Sequence, residues 1–190
     1  MDNLIAKIHQ NSKTVFNMLD LALIWSETDR NRLKAKTAYY VKQGVLIRLT
    51  RGIFAKSKDY NAMELANSIS SPSYISFETA LRAAGMIFQH YDTIFVAAKW
   101  SKTVEICGKK FVFRKMKTNV LYNPQGIENR GNYSIAGPNR AFLDMIYLFP
   151  DFYFDNLLPV DWEECFETVK IYQNKRLEKR LAAYQKKYAE

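Results

Sequence analysis

Apolar positions along the first third of the chain recur at helical spacing. Leu4, Ile5 and Ile8 predict a short first helix. Met18, Leu21, Ala22 and Trp25 form one stripe of a second helix, which Asn17 can cap with Asp20 three residues on. A turn at Ser26-Glu27-Thr28 follows. Ser26 and Asp29 have the capping-box spacing, so a third helix is predicted to open near Glu27 and run to Gln43, where Gly44 suits a left-handed terminator. On that helix Leu33, Thr37, Tyr40 and Val41 share the face toward the second helix. At about 100° per residue, Asn31, Arg32, Ala35, Ala38, Tyr39 and Lys42 take the opposite side, flanked by Arg30, Lys34 and Lys36. Two β-rich runs then surround Thr50-Arg51-Gly52 and read as a hairpin over Val45–Ala55, with Arg48 and Arg51 in or near its tip.

The pattern changes after residues 57–63, which read as a short linker. A short helix is predicted over Glu64–Ile69. After a break at Ser71-Pro72-Ser73, a second helix capped by Ser73 or Ser76 runs through Gly85. Thr93–Ala98 reads as a buried strand, and Val104–Cys107 with Phe111–Met116 as a hairpin around Gly108-Lys109-Lys110. A strand over Asn132–Ile135, a helix opened by Pro138 and a long last helix from Trp162 to Tyr188 complete the pattern. The expected fold class is α+β. A winged helix-turn-helix over residues 1–56 precedes a mixed α/β domain over 64–190, with a small sheet and a long C-terminal helix.

Charge sharpens the first half of this picture. The chain carries +9 overall. Residues 1–60 hold eleven Lys/Arg against five Asp/Glu, residues 61–169 ten against twelve, and residues 170–190 seven against two. Positive charge clustered at two ends is the footprint of a phosphate-binding surface. In the third helix, small residues at Ala35 and Ala38 would let the backbone approach base edges while a basic rim meets phosphates. Arg30, Asn31, Arg32, Lys34, Arg48 and Arg51 are the candidate contacts to double-stranded DNA. Lys109, Lys110, Arg114 and Lys115, with Lys117 beside them, form a candidate second basic patch on the later hairpin.

Catalytic chemistry finds little support. Glycines are single, with no phosphate loop and no GxSxG elbow. Glu105 is the one acidic residue of the central hairpin, and Cys107 stands where a metal-dependent nuclease would want lysine. Asp161, Glu163, Glu164 and Glu167 sit at a helix start, where the helix dipole favours carboxylates. Arg140 and Asp144, four apart on one helix, read as a simple ion pair. Cys107 and Cys165 share no motif spacing, and His9 and His90 are the only histidines, so neither a metal nor a cofactor is expected and no catalytic residue is assigned. The N-terminus lacks an apolar signal core and no apolar run could span a bilayer. A cytoplasmic setting without membrane contact is expected.

Several segments, in order, resemble the AbiEi-type antitoxins, also described as transcriptional regulators of viral defence systems. Thr14-Val15-Phe16 before Leu19-Asp20-Leu21-Ala22, and then Gly44-Val45-Leu46-Ile47-Arg48-Leu49-Thr50-Arg51-Gly52-Ile53-Phe54-Ala55, are similar to that family's N-terminal domain. Glu64-Leu65-Ala66, Pro72–Leu81 and Ile135–Asp144 are similar to its second domain, so the likeness spans about residues 1–150. The resemblance implies a DNA-binding antitoxin of a type IV toxin–antitoxin, abortive-infection system. Such a protein represses its own promoter at inverted repeats and neutralises a nucleotidyltransferase-like toxin, often without a stable complex. The chain lacks the Gly-Ser with paired aspartates that such a transferase uses for its metal, so it does not resemble the toxin. Ala35-Lys36-Thr37-Ala38-Tyr39-Tyr40 is less arginine-rich than the family pattern, which leaves the operator sequence open. Two alternatives stay open beside this one. One is a nuclease targeted by the winged helix, with Glu78 or Glu105 essential. The other is a winged helix that mediates protein contacts. The final helix, with Lys175, Arg176, Lys179, Arg180, Lys186 and Lys187, could pack on its own domain, meet a second copy in a homodimer on DNA, or touch DNA.

Overall fold

A computed structural model describes residues 4–188; the outermost residues of the two expected domains, 1–3 and 189–190, lie outside the described residues. The chain is α+β, with a three-stranded and a six-stranded sheet. The first 55 residues give α1 (Leu4–Gln10), β1 (Val15–Asn17), α2 (Met18–Trp25), α3 (Arg30–Lys42), β2 (Ile47–Thr50) and β3 (Ile53–Ala55). The strands order β1-β3-β2, antiparallel throughout, so the hairpin adds to a strand that the sequence pattern does not isolate. Three residues are too few to display alternation.

Local chemistry sets the helix ends. The Asn17 side chain accepts from the backbone of Leu19 and Asp20, and the Asp20 carboxylate accepts from Asn17 N–H, a complete capping box. The expected start of the third helix near Glu27 is corrected. Ser26 ends α2 in the left-handed region, φ 51°, and Asp29 caps α3 by accepting from Asn31 and Arg32. A residue spent on closing one helix cannot also open the next. Phe16, Leu21, Trp25, Leu33, Leu46 and Phe54 close around Ile8 as the small core of this unit.

The larger sheet orders β6-β7-β5-β4-β9-β8. Its strands are β4 (Ser73–Ile75), β5 (Ile94–Ala98), β6 (Lys102–Ile106), β7 (Lys109–Lys115), β8 (Ile127–Arg130) and β9 (Tyr133–Ala136). β5–β7 and β4–β9 pair parallel and the rest antiparallel. All five residues of β5 are buried, as its central place requires. The β6–β7 turn falls on Cys107-Gly108, both at positive φ, as a two-residue primed turn requires, so Lys109 and Lys110 already belong to β7. The expected break after Ser71 is followed directly by a strand, β4.

The helices of this unit are α4 (Ala62–Ile69), α5 (Phe77–Ala83), α6 (Thr118–Leu121), α7 (Pro138–Leu148), α8 (Trp162–Thr168) and α9 (Lys175–Tyr188). The expected single final helix is two, separated by a 3-10 turn over Val169–Tyr172 and by Gln173 at φ 47°. That interruption lets α9 fold back. Leu177 and Leu181 are buried, Tyr184 packs edge-on against Phe142, and Arg180 donates to the Ile146 and Tyr147 carbonyls at the end of α7.

α4 joins the two units. It begins at Ala62, inside the expected linker, and packs on β1 and β3 of the small sheet and on β4, β5 and β9 of the large one. Its Glu64 is buried. One carboxylate oxygen accepts from Thr14 N–H at 2.7 Å, Thr14 O–H at 2.9 Å and Val15 N–H at 3.1 Å, and the other accepts from Asn132. Val15 and Ile53 belong to the larger core, so apolar packing crosses the junction as well.

Candidate nucleic-acid interface

A groove of about 910 Å³ runs between α2, α3 and the β2–β3 hairpin. Helical spacing explains its basic wall. Arg30, Lys34, Ala38 and Lys42 stand four apart, one turn above another, and all line it. Arg48 and Arg51 line the opposite wall, where the two-residue turn at Arg51-Gly52, with Gly52 at φ +77°, brings the chain sharply back. Arg48 also lies 5.9 Å from the Phe54 ring centroid. Met18, Leu19 and Val41 add apolar wall, and Leu19 is 75% exposed.

All five cations are exposed, and among the described residues none is in an ion pair. Among the described residues the one carboxylate on the groove, Glu27, is taken by Lys36 at 3.0 Å. The Lys36 hydrogen bond leads the effects that hold the Glu27 carboxyl below its usual value. The groove therefore presents net positive charge.

Of the six expected DNA contacts, four meet here: Arg30, Lys34, Arg48 and Arg51. Lys42, placed by the sequence pattern on the outward side, joins them. Asn31 is exposed at the edge of the row, about 60° round the helix from Lys34. Arg32 is exposed but sits about 200° from both Arg30 and Lys34, on the side away from the hairpin. No hydropathy signal could separate Arg32 from its neighbours, because the hairpin's position relative to α3 is a tertiary fact.

The expected second basic patch does not assemble. Strand alternation sets Lys109 and Lys115 on the side of buried Phe111 and Phe113, and Lys110 and Arg114 on the other. Lys110 stands opposite Glu105, and Lys109 lies over the Tyr60 ring at 5.5 Å. Arg114 turns inward. Its two terminal nitrogens donate to both oxygens of Glu78 at 2.6 and 2.7 Å, and the guanidinium lies 4.5–4.8 Å from the ring centroids of Phe77, Phe95 and Phe149. Glu78 is thus occupied in packing the sheet.

Arg140 and Asp144 are more than the simple helix-surface pair expected, because both side chains are fully buried. Arg140 Nε lies 3.5 Å from Asp144 Oδ1, while its terminal nitrogens donate to the Gln125 and Val120 carbonyls and to Tyr74 Oη. Asp144 accepts from Tyr172 at 2.6 Å, Ser76 at 2.7 Å and Tyr74 at 3.3 Å. Ser76 precedes α5, yet its hydroxyl serves this network instead of a cap. Burial raises the Asp144 carboxyl above the usual range, against the opposing pull of Arg140 and the three hydroxyls. Burial also raises Tyr74 and Tyr172, with the Asp144 charge acting the same way. Gly126 is required beside the network, since a Cβ there would stand 2.9 Å from Arg140 Cβ.

The acidic run beginning at Asp161 behaves as a helix start, with the Asp161 side chain accepting from Glu164 N–H. Burial pushes the Cys165 thiol up to about 12, while Cys107 is exposed. Among the described residues, no three His, Cys, Asp or Glu side chains group as a metal site, and no helix is long and apolar enough to cross a membrane. No protein-family model matches the chain, and no curated protein matches it.

Proposed function

We propose that residues 4–55 form a winged helix-turn-helix that binds double-stranded DNA, with α3 in the major groove and the β2–β3 hairpin as the wing. The observation that carries this reading is the groove of five exposed, unneutralised cations shared by α3 and the hairpin. Like charges held together in solvent repel one another. An anionic polymer relieves that repulsion and releases its own counterions. The element order supports the same reading: helix, strand, helix, helix and hairpin, with the first strand completing the hairpin's sheet. Ala38, one turn beyond Lys34 on the groove wall, leaves that face of α3 low enough to approach base edges.

The larger role we infer is that of an antitoxin that represses its own promoter and neutralises a nucleotidyltransferase-like toxin. This step rests on the resemblance of the sequence segments. Two of them, Pro72–Leu81 and Ile135–Asp144, supply Tyr74, Ser76, Arg140 and Asp144, so the likeness falls on the scaffold of the second unit.

The test is titration of the full chain against a labelled duplex from upstream of its own gene, at several salt concentrations. The logarithm of the binding constant should fall linearly with log salt, and replacing Arg48 and Arg51 by Gln should lower the slope by about 0.9 for each phosphate left without its cation. Absence of duplex binding at low salt, or an unaltered slope in the double variant, overturns the reading. Co-expression with an adjacent transferase-like reading frame tests the antitoxin step separately.

A further inference from the structure

A second basic cleft, of about 450 Å³, lies on the larger unit. It forms where the end of β7 and the start of α6 meet the first turns of α9. Lys115 and Lys117 stand on one wall, Arg176 and Arg180 on the other, with Tyr147 and Asn174 between them. These cations lie about sixty residues apart in sequence and converge because the 3-10 turn folds α9 back over the end of α7.

Three features set this cleft apart from ordinary surface charge. First, among the described residues no carboxylate lines it. Glu178 sits on α9 about 200° from Arg176 and so faces away. Second, Lys115, Lys117 and Arg176 are exposed, and among the described residues none is in an ion pair. Elsewhere Lys13, Lys36, Arg114, Arg130, Arg140 and Lys170 each face a carboxylate. Third, Arg180 is anchored through the two α7 carbonyls and gives that wall a fixed charge, while Lys117 lies 5.9 Å from the Tyr147 ring centroid.

We propose that this cleft holds the phosphodiester backbone of a nucleic acid, as a contact separate from the α3–hairpin groove. Opposed cationic walls without a carboxylate suit a strand whose charge repeats along its length. The two lysines meet phosphates as point charges and Arg176 offers a planar fork. The chain then carries one basic site on each of its two units. This inference does not require the α3 groove to bind DNA.

The experiment uses the full chain with two labelled probes, a duplex DNA of unrelated sequence and a single-stranded RNA, each titrated over a salt series. The variant is Lys115→Gln with Lys117→Gln and Arg176→Gln, all at exposed positions outside the core. Its control is Lys58→Gln with Lys102→Gln and Lys110→Gln, which removes equal charge from exposed positions outside the cleft. The cleft variant should lower the salt slope by about 3 for the duplex or by about 2 for the single strand, and the arm that changes identifies the strand bound. The control should leave the slope nearly unaltered. An unaltered slope in both arms, or an equal fall in the control, overturns the proposal. Failure of the α3 groove would show instead in the Arg48 and Arg51 variant.

Discussion

Arg48 and Arg51 in the first unit stand in solvent on the hairpin, and among the described residues neither is in an ion pair. Arg114 and Arg140 in the second unit are drawn inside, one forked onto Glu78 among three rings, the other closed into a network with Asp144 and Tyr74. The same side chain does opposite work in the two places. An enclosed guanidinium must find a counter-charge and enough acceptors, or burial would cost several kcal/mol. An exposed one bears no such demand and stays available to a ligand. Charge counted along a sequence therefore says little about binding until its partners are known.

The comparison breaks most visibly at Asp144. Asp144→Ala leaves the buried Arg140 guanidinium with two backbone carbonyls and the Tyr74 hydroxyl but no counter-charge, and should destabilise the fold by about 3–5 kcal/mol. Since whole domains are stable by only about 5–15 kcal/mol, thermal or urea unfolding followed by circular dichroism would register it at once. Replacing both partners, as Arg140→Met with Asp144→Leu, should cost less than the single change, because no charge is then stranded. If Asp144→Ala melts like the parent chain, the distinction between enclosed and open arginines fails.

Tyr74 and Tyr172 give a milder test of the same enclosure. Both are held well above the ordinary tyrosine value of 10.0, by burial first and then by Asp144. In the unfolded chain they ionise near that value, while the folded chain keeps their protons. The folded state thus binds more protons above pH 10, and stability falls as pH rises. The slope is about 1.4 kcal/mol per pH unit for each tyrosine. Below the unfolded value this contribution is fully present. Tyr172→Phe should remove one such increment from the alkaline limb of a stability-against-pH curve. An unaltered limb would show that the ring is not enclosed as the structure has it.

Some of this is legible in the sequence and the rest is hidden, for physical reasons. α2 can be read from Asn17 and Asp20 because a capping box is local, and α7 from Pro138 because its fixed φ suits a first helical turn. β1, β4 and β8 escape such a reading. They are only three or four residues long, and pairing defines them more than their own pattern does. The basic hairpin misleads because alternation alone cannot show that Arg114 finds Glu78, thirty-six residues earlier in the chain. Four of the six expected contacts share one groove because helical spacing and a tight turn are both local rules. Arg32 falls among the expected contacts because charge and exposure alone do not fix where the hairpin will stand.

Arg32 and Lys34 carry the smallest predicted effect and the sharpest form of the comparison. They share a helix, a charge and an exposed position, and differ in azimuth by about 200°. Neither belongs to the core, so Arg32→Gln and Lys34→Gln should leave unfolding within about 0.5 kcal/mol of the parent. Lys34→Gln should lower the salt slope of duplex binding by about 0.9, the share of a single phosphate, whereas Arg32→Gln should leave it unaltered. Equal falls in the two variants would mean that the duplex senses only total charge, and the groove would lose its claim to be a site. Unequal falls in the reverse order would place the duplex on the face of α3 that carries Arg32 and Lys36, away from the hairpin. The two substitutions ask whether open arginines and lysines bind because they are free or because they are also aimed, and only the second outcome makes α3 a recognition helix.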